Sequence, residues 1–207
     1  MAYPTVNAPY GLRPINSVDG KPYAGATRQL PIASTYNTPI YYGDIVALVD
    51  GGTIAVSGVT NDSTTSAANY TYGVFMGCQY VNGQSQTVQA QYYPGNAAAT
   101  SAIAYVVDDP MAAFQVAVVY ANSVVTTVNQ SIVGVNMAID QGTGDATTGN
   151  SGMGVLVATD NAGNAATLPV RVVEVVPATA TSAGYTEVVV KLNNPQILRA
   201  TGLDYAA

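Results

Sequence analysis

Short runs of apolar, mainly β-branched residues alternate with Gly, Asn and Asp from about residue 40 onward. This pattern is typical of strands joined by turns. No segment carries an apolar stripe at helical spacing over three turns with caps at both ends, and the many Val and Thr residues also disfavour helix. The pattern therefore predicts an all-β chain, with at most one short helix over residues 194–200.

The apolar runs predict strands that share one core. Asp50-Gly51-Gly52 separates the first two runs and indicates a hairpin, because Asp-Gly readily supplies the positive φ angles that such a turn requires. Asn82-Gly83 indicates another tight turn. Many short strands with frequent turns predict a β-sandwich or barrel of jelly-roll-like type. The predicted strands are Ile45–Val49, Thr53–Val56, Tyr70–Val81, Gln86–Tyr93, Ala102–Val107, Ala112–Tyr120, Val124–Val128, Ile132–Ile139, Val155–Ala158, Leu168–Val176 and Glu187–Leu192.

The first 39 residues have a different character. Six of the eleven prolines fall there, at positions 4, 9, 14, 22, 31 and 39, and each removes a backbone donor and favours extended conformations. We therefore predict an extended arm over 1–39 and a β-domain over 40–207, with a further division conceivable near 120. Such an arm either lies across a partner at low entropic cost or packs as an irregular segment on its own domain. The polar stretches 57–69 and 141–151 predict exposed loops.

The composition favours a protein whose surface is in permanent contact with other protein subunits. Apolar residues make up 48% and charged residues 9%, against about 25% charged in an average soluble domain. The fifteen Tyr suit interfaces, because each combines an apolar ring with a hydroxyl, although any one of them can equally cap the core. The net charge is -6 and the cations are scattered, so no nucleic-acid footprint is expected.

The residues that enzymes use for catalysis are largely missing. There is no His, which excludes Ser-His-Asp and Cys-His arrangements, and the lone Cys78 lies in an apolar run where an inert thiol is expected. Ser151 lacks the second glycine of a nucleophile turn and is interpreted as a loop serine. No glycine-rich nucleotide motif is complete. We expect neither enzymatic activity nor a cofactor.

Two acidic groups need an interpretation. Asp108-Asp109-Pro110 is the one adjacent carboxylate pair, but neighbouring strand residues point to opposite faces, so a turn held by its aspartates is favoured over an acid/base pair. Asp140 and Asp145 flank glycines and offer oxygen ligands for calcium, yet their spacing does not match an EF-hand loop. Loop aspartates are the favoured interpretation, and whether they bind a cation is left open.

The N-terminal residues have neither the basic start nor the apolar stretch of a signal peptide, and no apolar run reaches 18 residues. These features predict synthesis in the cytoplasm and no membrane association.

Several short motifs, taken in order, resemble a group of virion proteins of tailed bacteriophages, including cyanophages: the capsid decoration, or cement, proteins. In that group a Gly-Leu-Arg-Pro arm precedes a Gly-Asp-x-Val strand and an Asp-Asp-Pro turn. The resemblance covers roughly the first 120 residues. The matching segments are Tyr10–Pro14, Gly20–Ala26, Gly43–Val46, Gly73–Cys78, Tyr92–Gly95, Ala104–Pro110 and Phe114–Val116.

The resemblance implies a decoration protein on the capsid surface of a virion. Its partners would be the major capsid protein and itself, as a homotrimer seated where capsid hexamers meet. We expect the arm to contact the capsid or a neighbouring subunit through Tyr3, Tyr10, Leu12, Arg13 and Pro14. The alternatives are a phage tail or fibre component, a carbohydrate-binding β module with Tyr rings as platforms, and, more distantly, a lytic enzyme.

Overall fold

The computed structural model describes residues 5–58, 71–95, 98–120, 123–125, 128–157, 162–163, 168–180, 184–193 and 195–198. Throughout these ranges the chain is all-β, with sheets and a partly closed barrel, which confirms the predicted fold class. Its helical turns are short 3-10 turns at Asp50–Gly52, Gln130–Ile132 and Gln196–Leu198. The strands are β1 Arg13–Ser17, β2 Arg28–Pro31, β3 Ile45–Val49, β4 Thr53–Val56, β5 Gly73–Val81, β6 Thr87–Ala90, β7 Thr100–Val107, β8 Ala112–Tyr120, β9 Ser123–Val124, β10 Asn136–Asp140, β11 Gly154–Leu156, β12 Ala162–Gly163, β13 Val170–Val175 and β14 Glu187–Leu192.

The smaller sheet has the order β2-β7-β5-β3-β4. In addition, β6 pairs with residues 78–81 of β5, beyond the two residues of β5 that pair with β3. Its two edges meet, because Ile32, just after β2, forms a parallel bridge with Ile54 on β4. The sheet thus curls around its own apolar cluster. That cluster includes Ile40, Val46, Phe75, Tyr93 and Val106, each at most 1% exposed.

The larger sheet runs β1-β8-β11-β10-β13-β14, and β14 pairs back onto β8. This last pairing makes a ring of β8, β11, β10, β13 and β14, with β1 attached outside it. Alternate residues of β8 and β14, such as Phe114, Val116, Val188 and Val190, point into the ring and form its core. The residues between them face outward, and we call their side of the sheet the outer face.

The two sheets pack against each other, although the smaller sheet also has an apolar cluster of its own. The chain passes from β7 of the smaller sheet to β8 of the larger one through the turn at Asp108–Met111. Ile45, Val74 and Val107 belong to the smaller sheet, yet they pack into the apolar cluster of the larger one. The described strands therefore form one packed body.

The proline-rich segment 1–39 contributes two strands that the sequence pattern does not predict. β1 pairs antiparallel with β8, aligning Arg13 with Gln115, and β2 pairs antiparallel with β7. Both lie at sheet edges, where a proline that cannot donate a backbone hydrogen bond is tolerated. Consistent with this, the β1 register shifts between Pro14 and Asn16.

The two predicted turns behave differently. Gly51 has φ of 81°, as the Asp-Gly hairpin requires. Gly83, in contrast, keeps a negative φ, and the positive φ of 60° falls on Ser85. Asn82 Oδ1 accepts hydrogen bonds from the Gln84 and Gln86 amides, both at 3.0 Å, so the Asn82 side chain organises a wider loop than a two-residue turn.

Candidate interaction surface

The structure places the predicted contact residues in distinct environments. Tyr3 lies outside the described residues. Leu12 is 0% exposed and belongs to the core of the larger sheet. Pro14 is half-buried beside Phe114 in the β1–β8 pair, whereas Arg13 is exposed and Tyr10 is half-buried. Of the predicted contact residues that the structure describes, Arg13, Tyr10 and part of Pro14 are therefore accessible at the surface, and Leu12 is not.

Tyr10 and Arg13 form a cluster on the outer face with Glu187 of β14. The Tyr10 hydroxyl donates a hydrogen bond to Glu187 Oε1, and the Arg13 guanidinium carbon lies 4.2 Å above the centre of the Tyr10 ring. Burial, followed by the hydrogen bond to Glu187, raises the pKa of Tyr10 far above its usual value. Nearby, the Tyr185 amide donates to the Val6 carbonyl at 2.8 Å. Residues 6–10 are therefore held against the chain's own sheet.

Apolar side chains are exposed where β1 ends. Ile15 and Val18 are each 39% exposed, and Met111 is 44% exposed. Two hydrogen bonds join this region, because the Val18 amide and the Ser17 hydroxyl both donate to the Met111 carbonyl, at 2.8 and 3.0 Å. We call Ile15, Val18 and Met111 the β1 edge patch. The sequence contained a signal for it, namely apolar residues directly after Arg13-Pro14, but nothing in the sequence showed that they stay uncovered.

A groove of about 380 Å³ lies beside Met111. Asp19 and Lys21 line it and bind each other, with Nζ 2.6 Å from Oδ2. The hydrogen bond from Lys21 lowers the pKa of Asp19 to about 2. Tyr23 and Asp109 also line the groove. The groove is therefore lined both by the apolar side chain of Met111 and by the Asp19–Lys21 ion pair, whose charges offset each other.

The Asp108-Asp109-Pro110 turn holds Met111 in place. Asp109 Oδ1 accepts a hydrogen bond from the Met111 amide at 2.8 Å. Asp108 instead binds side chains of the smaller sheet: Arg28 Nε donates to its Oδ2, and so does the Tyr72 hydroxyl, at 3.2 Å. Both carboxylates are used in structural contacts, as the turn interpretation expected, although Asp108 bonds to side chains rather than to the backbone.

The segments that carry the family resemblance meet at the junction of the sheets. The Leu12 amide donates to Gly43 O at 2.9 Å, and the Gly43 amide donates to Phe75 O at 2.8 Å. A Cβ on Gly11, whose φ is 78°, would lie 2.6 Å from Ser151 Cβ, so this approach requires glycine. These motifs therefore build the fold around the start of β1.

Asp44 is buried at the same junction. It is 5% exposed, its Oδ2 accepts a hydrogen bond from the Tyr41 amide at 2.7 Å, and Ser151 also hydrogen-bonds to it. Burial raises the pKa of Asp44 to about 6, against the opposing effect of these hydrogen bonds. Ser151 is 2% exposed, and its hydroxyl accepts from the Met153 amide, so it serves as a structural loop serine.

The loop over residues 142–152 faces the N-terminal segment across an open groove of about 570 Å³. Asp145, on this groove, accepts hydrogen bonds from the Thr147 amide and the Thr148 hydroxyl at 2.8 and 3.0 Å. Asp140 accepts from the Gly142 amide at 3.3 Å. Within the described ranges, no group of three or more His, Cys, Asp or Glu residues is placed to hold a metal ion.

Cys78 and a tyrosine pair lie on the smaller sheet. Cys78 is 1% exposed, and burial raises its pKa to about 12, which describes an unreactive thiol. The Cys78 thiol donates to the Tyr92 carbonyl at 3.5 Å, and the rings of Tyr92 and Tyr41 stack with centroids 5.5 Å apart and an angle of 9°. Tyr41 also packs on Gly144, where a Cβ would come within 2.1 Å of its ring.

No protein-family model, no curated protein and no solved structure matches the chain. Among the described residues, the helical segments are all too short to cross a membrane.

Proposed function

We propose that the chain is a virion structural protein that binds the outside of a bacteriophage capsid and reinforces it as a decoration protein. The observation that carries the proposal is the β1 edge patch, because Ile15, Val18 and Met111 are all exposed and a backbone hydrogen bond holds Val18 beside Met111. Clustered exposed apolar groups mark protein-binding surfaces. The capsid as partner, and a homotrimer as the bound form, follow from the resemblance of the ordered motifs to decoration proteins.

The chemistry of the described residues supports a binding role over a catalytic one. The Asp108 and Asp109 carboxylates are used in holding a turn, the thiol of Cys78 is buried, and Ser151 is enclosed by Asp44 and Met153. Each of these four side chains is thus buried or engaged in a structural contact. What remains accessible is a surface for association.

The proposal is tested with expanded shells of the major capsid protein encoded in the same genome. The purified chain is titrated onto undecorated shells, and occupancy is measured by co-sedimentation and by cryo-EM, with light scattering to give the mass of the free chain. We expect saturable binding at points between hexamers and a trimeric mass. Absence of binding to the shells, or localisation to the tail in intact virions, would refute the proposal.

A matched pair of variants tests the β1 edge patch. Ile15 and Ile103 both lie on strands and are both 39% exposed, but Ile103 is on β7 of the smaller sheet. Ile15→Asp should weaken shell binding about tenfold or more, because it places a charge in the buried centre of an interface, and Ile103→Asp should bind like the unaltered chain. Met111→Asp serves as a second patch variant. Equal binding by all three would remove the patch from the interface.

A second candidate function is carbohydrate binding, favoured by the stacked Tyr41 and Tyr92 rings. Gln91 Nε2 donates to Asn150 Oδ1 at 2.8 Å close to this pair, so amide groups that suit sugar hydroxyls lie nearby. Titration of the isolated chain with a glycan library, with Tyr92→Ala as the control, tests it. Glycan affinity that Tyr92→Ala abolishes would support this function.

A further inference from the structure

A row of aligned residues crosses the outer face of the larger sheet. The strand registers place direct cross-strand neighbours beside one another on β10, β13, β14, β8 and β1. The flanking residues Val170, Val172 and Val190 belong to the core, so the row lies on the opposite face of the sheet. Two members of the row, Asn136 and Ala113, are covered there at 2% exposure each, whereas Arg171 is exposed and Lys191 is half-buried. In order across the sheet, the row consists of Asn136, Arg171, Lys191, Ala113 and Asn16.

Two cations are direct neighbours in this row. Arg171 and Lys191 are register partners in the β13–β14 pair, so their Cβ atoms lie about 5 Å apart on one face. Like charges in this arrangement repel and lower stability. The chain has only six Lys and Arg among 207 residues, so two cations are seldom expected to be cross-strand neighbours by chance.

Among the described residues, the Arg171–Lys191 pair is oriented by a hydrogen bond but is not neutralised by a carboxylate. Arg171 Nε donates to Asn136 Oδ1 at 2.8 Å, which orients the guanidinium. In the described part of the chain, the ion pairs are formed by Lys21 with Asp19 and by Arg28 with Asp108, and no carboxylate lies within 4.0 Å of the charged groups of Arg171 or Lys191. Arg13 adds a third cation to the same face on β1, which is separated from β13 by β14 and β8.

We infer that the Arg171–Lys191 pair binds a carboxylate-rich segment of the partner protein; this deepens the proposed function, because it names the chemistry that the partner presents to the outer face. Two cationic side chains whose Cβ atoms lie about 5 Å apart can both reach one carboxylate, or can bind two adjacent acidic side chains. A nucleic acid is a poorer match, because two or three cations neutralise few phosphates and the chain as a whole carries -6.

The test uses an octaglutamate peptide as probe, with binding followed by fluorescence anisotropy at about 0.05 M and 0.5 M salt. The variant Arg171→Gln/Lys191→Gln should bind about tenfold more weakly or worse at low salt. Glu174→Gln should bind about twofold to threefold more tightly, because it removes an exposed acid from the strand that carries Arg171. Lys21→Gln is the matched control and should bind like the unaltered chain, since Asp19 already neutralises Lys21.

The melting temperature separates a binding role from a structural one. Because the two cations repel, the double variant should melt at the same temperature as the unaltered chain or higher, while its affinity falls. Lys191→Gln alone replaces it if the double variant does not fold. No octaglutamate binding by the unaltered chain, equal binding by the double variant, or tighter binding of a DNA oligonucleotide of equal charge would each overturn the inference.

Shell binding distinguishes the two proposals. If the unaltered chain and the double variant bind undecorated shells equally, the outer-face inference fails and the decoration function stands. If the unaltered chain does not bind shells, the decoration function fails, and the octaglutamate result alone decides whether Arg171 and Lys191 bind acidic polypeptide.

Discussion

The buried carboxyl of Asp44 should make stability depend on pH in a direction opposite to that of most carboxylates. Burial raises its folded-state pKa from 3.8 to about 6. Between these values the folded chain therefore binds more protons than the unfolded chain. The contribution of Asp44 to stability consequently falls as pH rises through this window, with no penalty below pH 3.8 and the full penalty above pH 6.

The magnitude follows from the same shift. A difference of roughly two pKa units corresponds to about 3 kcal/mol of destabilisation above pH 6. Asp44→Asn removes the penalty because the amide is neutral at every pH. Its carbonyl can still accept from the Tyr41 amide, and its NH₂ group can donate to the Ser151 hydroxyl.

Urea unfolding of both chains at pH steps from about 3.5 to 7 measures this effect. We expect the two to have similar stability at the acid end, and Asp44→Asn to become more stable by up to about 3 kcal/mol as pH reaches 7. Subtracting the curves isolates Asp44, since the other carboxylates titrate alike in both chains. Asp19→Asn is a control of opposite sign, because the pKa of Asp19 is lowered to about 2. A stability difference between Asp44→Asn and the unaltered chain that stays constant with pH would refute the reasoning.

Two further predictions concern the start of β1 and the lone thiol. Leu12→Ala should lower the free energy of unfolding by about 2–5 kcal/mol, because Leu12 is 0% exposed, whereas Arg13→Ala should cost about 1 kcal/mol or less through loss of its contact with the Tyr10 ring. Urea unfolding measures both, and equal stability of the two variants would show that β1 is not docked in the core. The thiol of Cys78, which is 1% exposed with a pKa raised to about 12, should react with a disulfide reagent only after unfolding. A thiol reaction equally fast in native buffer and in urea would contradict its burial.

Local chemistry determined much of the strand pattern. The predicted bounds Ile45–Val49, Thr53–Val56, Ala112–Tyr120 and Glu187–Leu192 agree with the structure, because continuous apolar runs bounded by turn residues leave few other ways to bury a strand. The burial of Cys78 follows in the same way from its apolar neighbours. These features depend on residues close together in sequence.

The proline-rich segment shows where local pattern stops being informative. Arg13–Ser17 and Arg28–Pro31 contain few apolar residues and two prolines, so they do not resemble strands on their own. They become strands because β8 and β7 present backbone partners at the edges of the two sheets. Edge pairing is a property of the assembled sheet, and no periodicity within the segment reports it.

The sequence by itself determined an all-β chain that has no histidine, because composition and short-range periodicity suffice for both conclusions. The tertiary structure decided which residues meet. Arg171 and Lys191 are separated by 19 intervening residues and become neighbours only through the register of β13 and β14. Asp44 directly precedes a predicted strand in the sequence and acquires its raised pKa only when distant segments exclude water from it. The Arg171–Lys191 contact and the desolvation of Asp44 both depend on packing between residues far apart in the chain. The local sequence pattern does not report such packing.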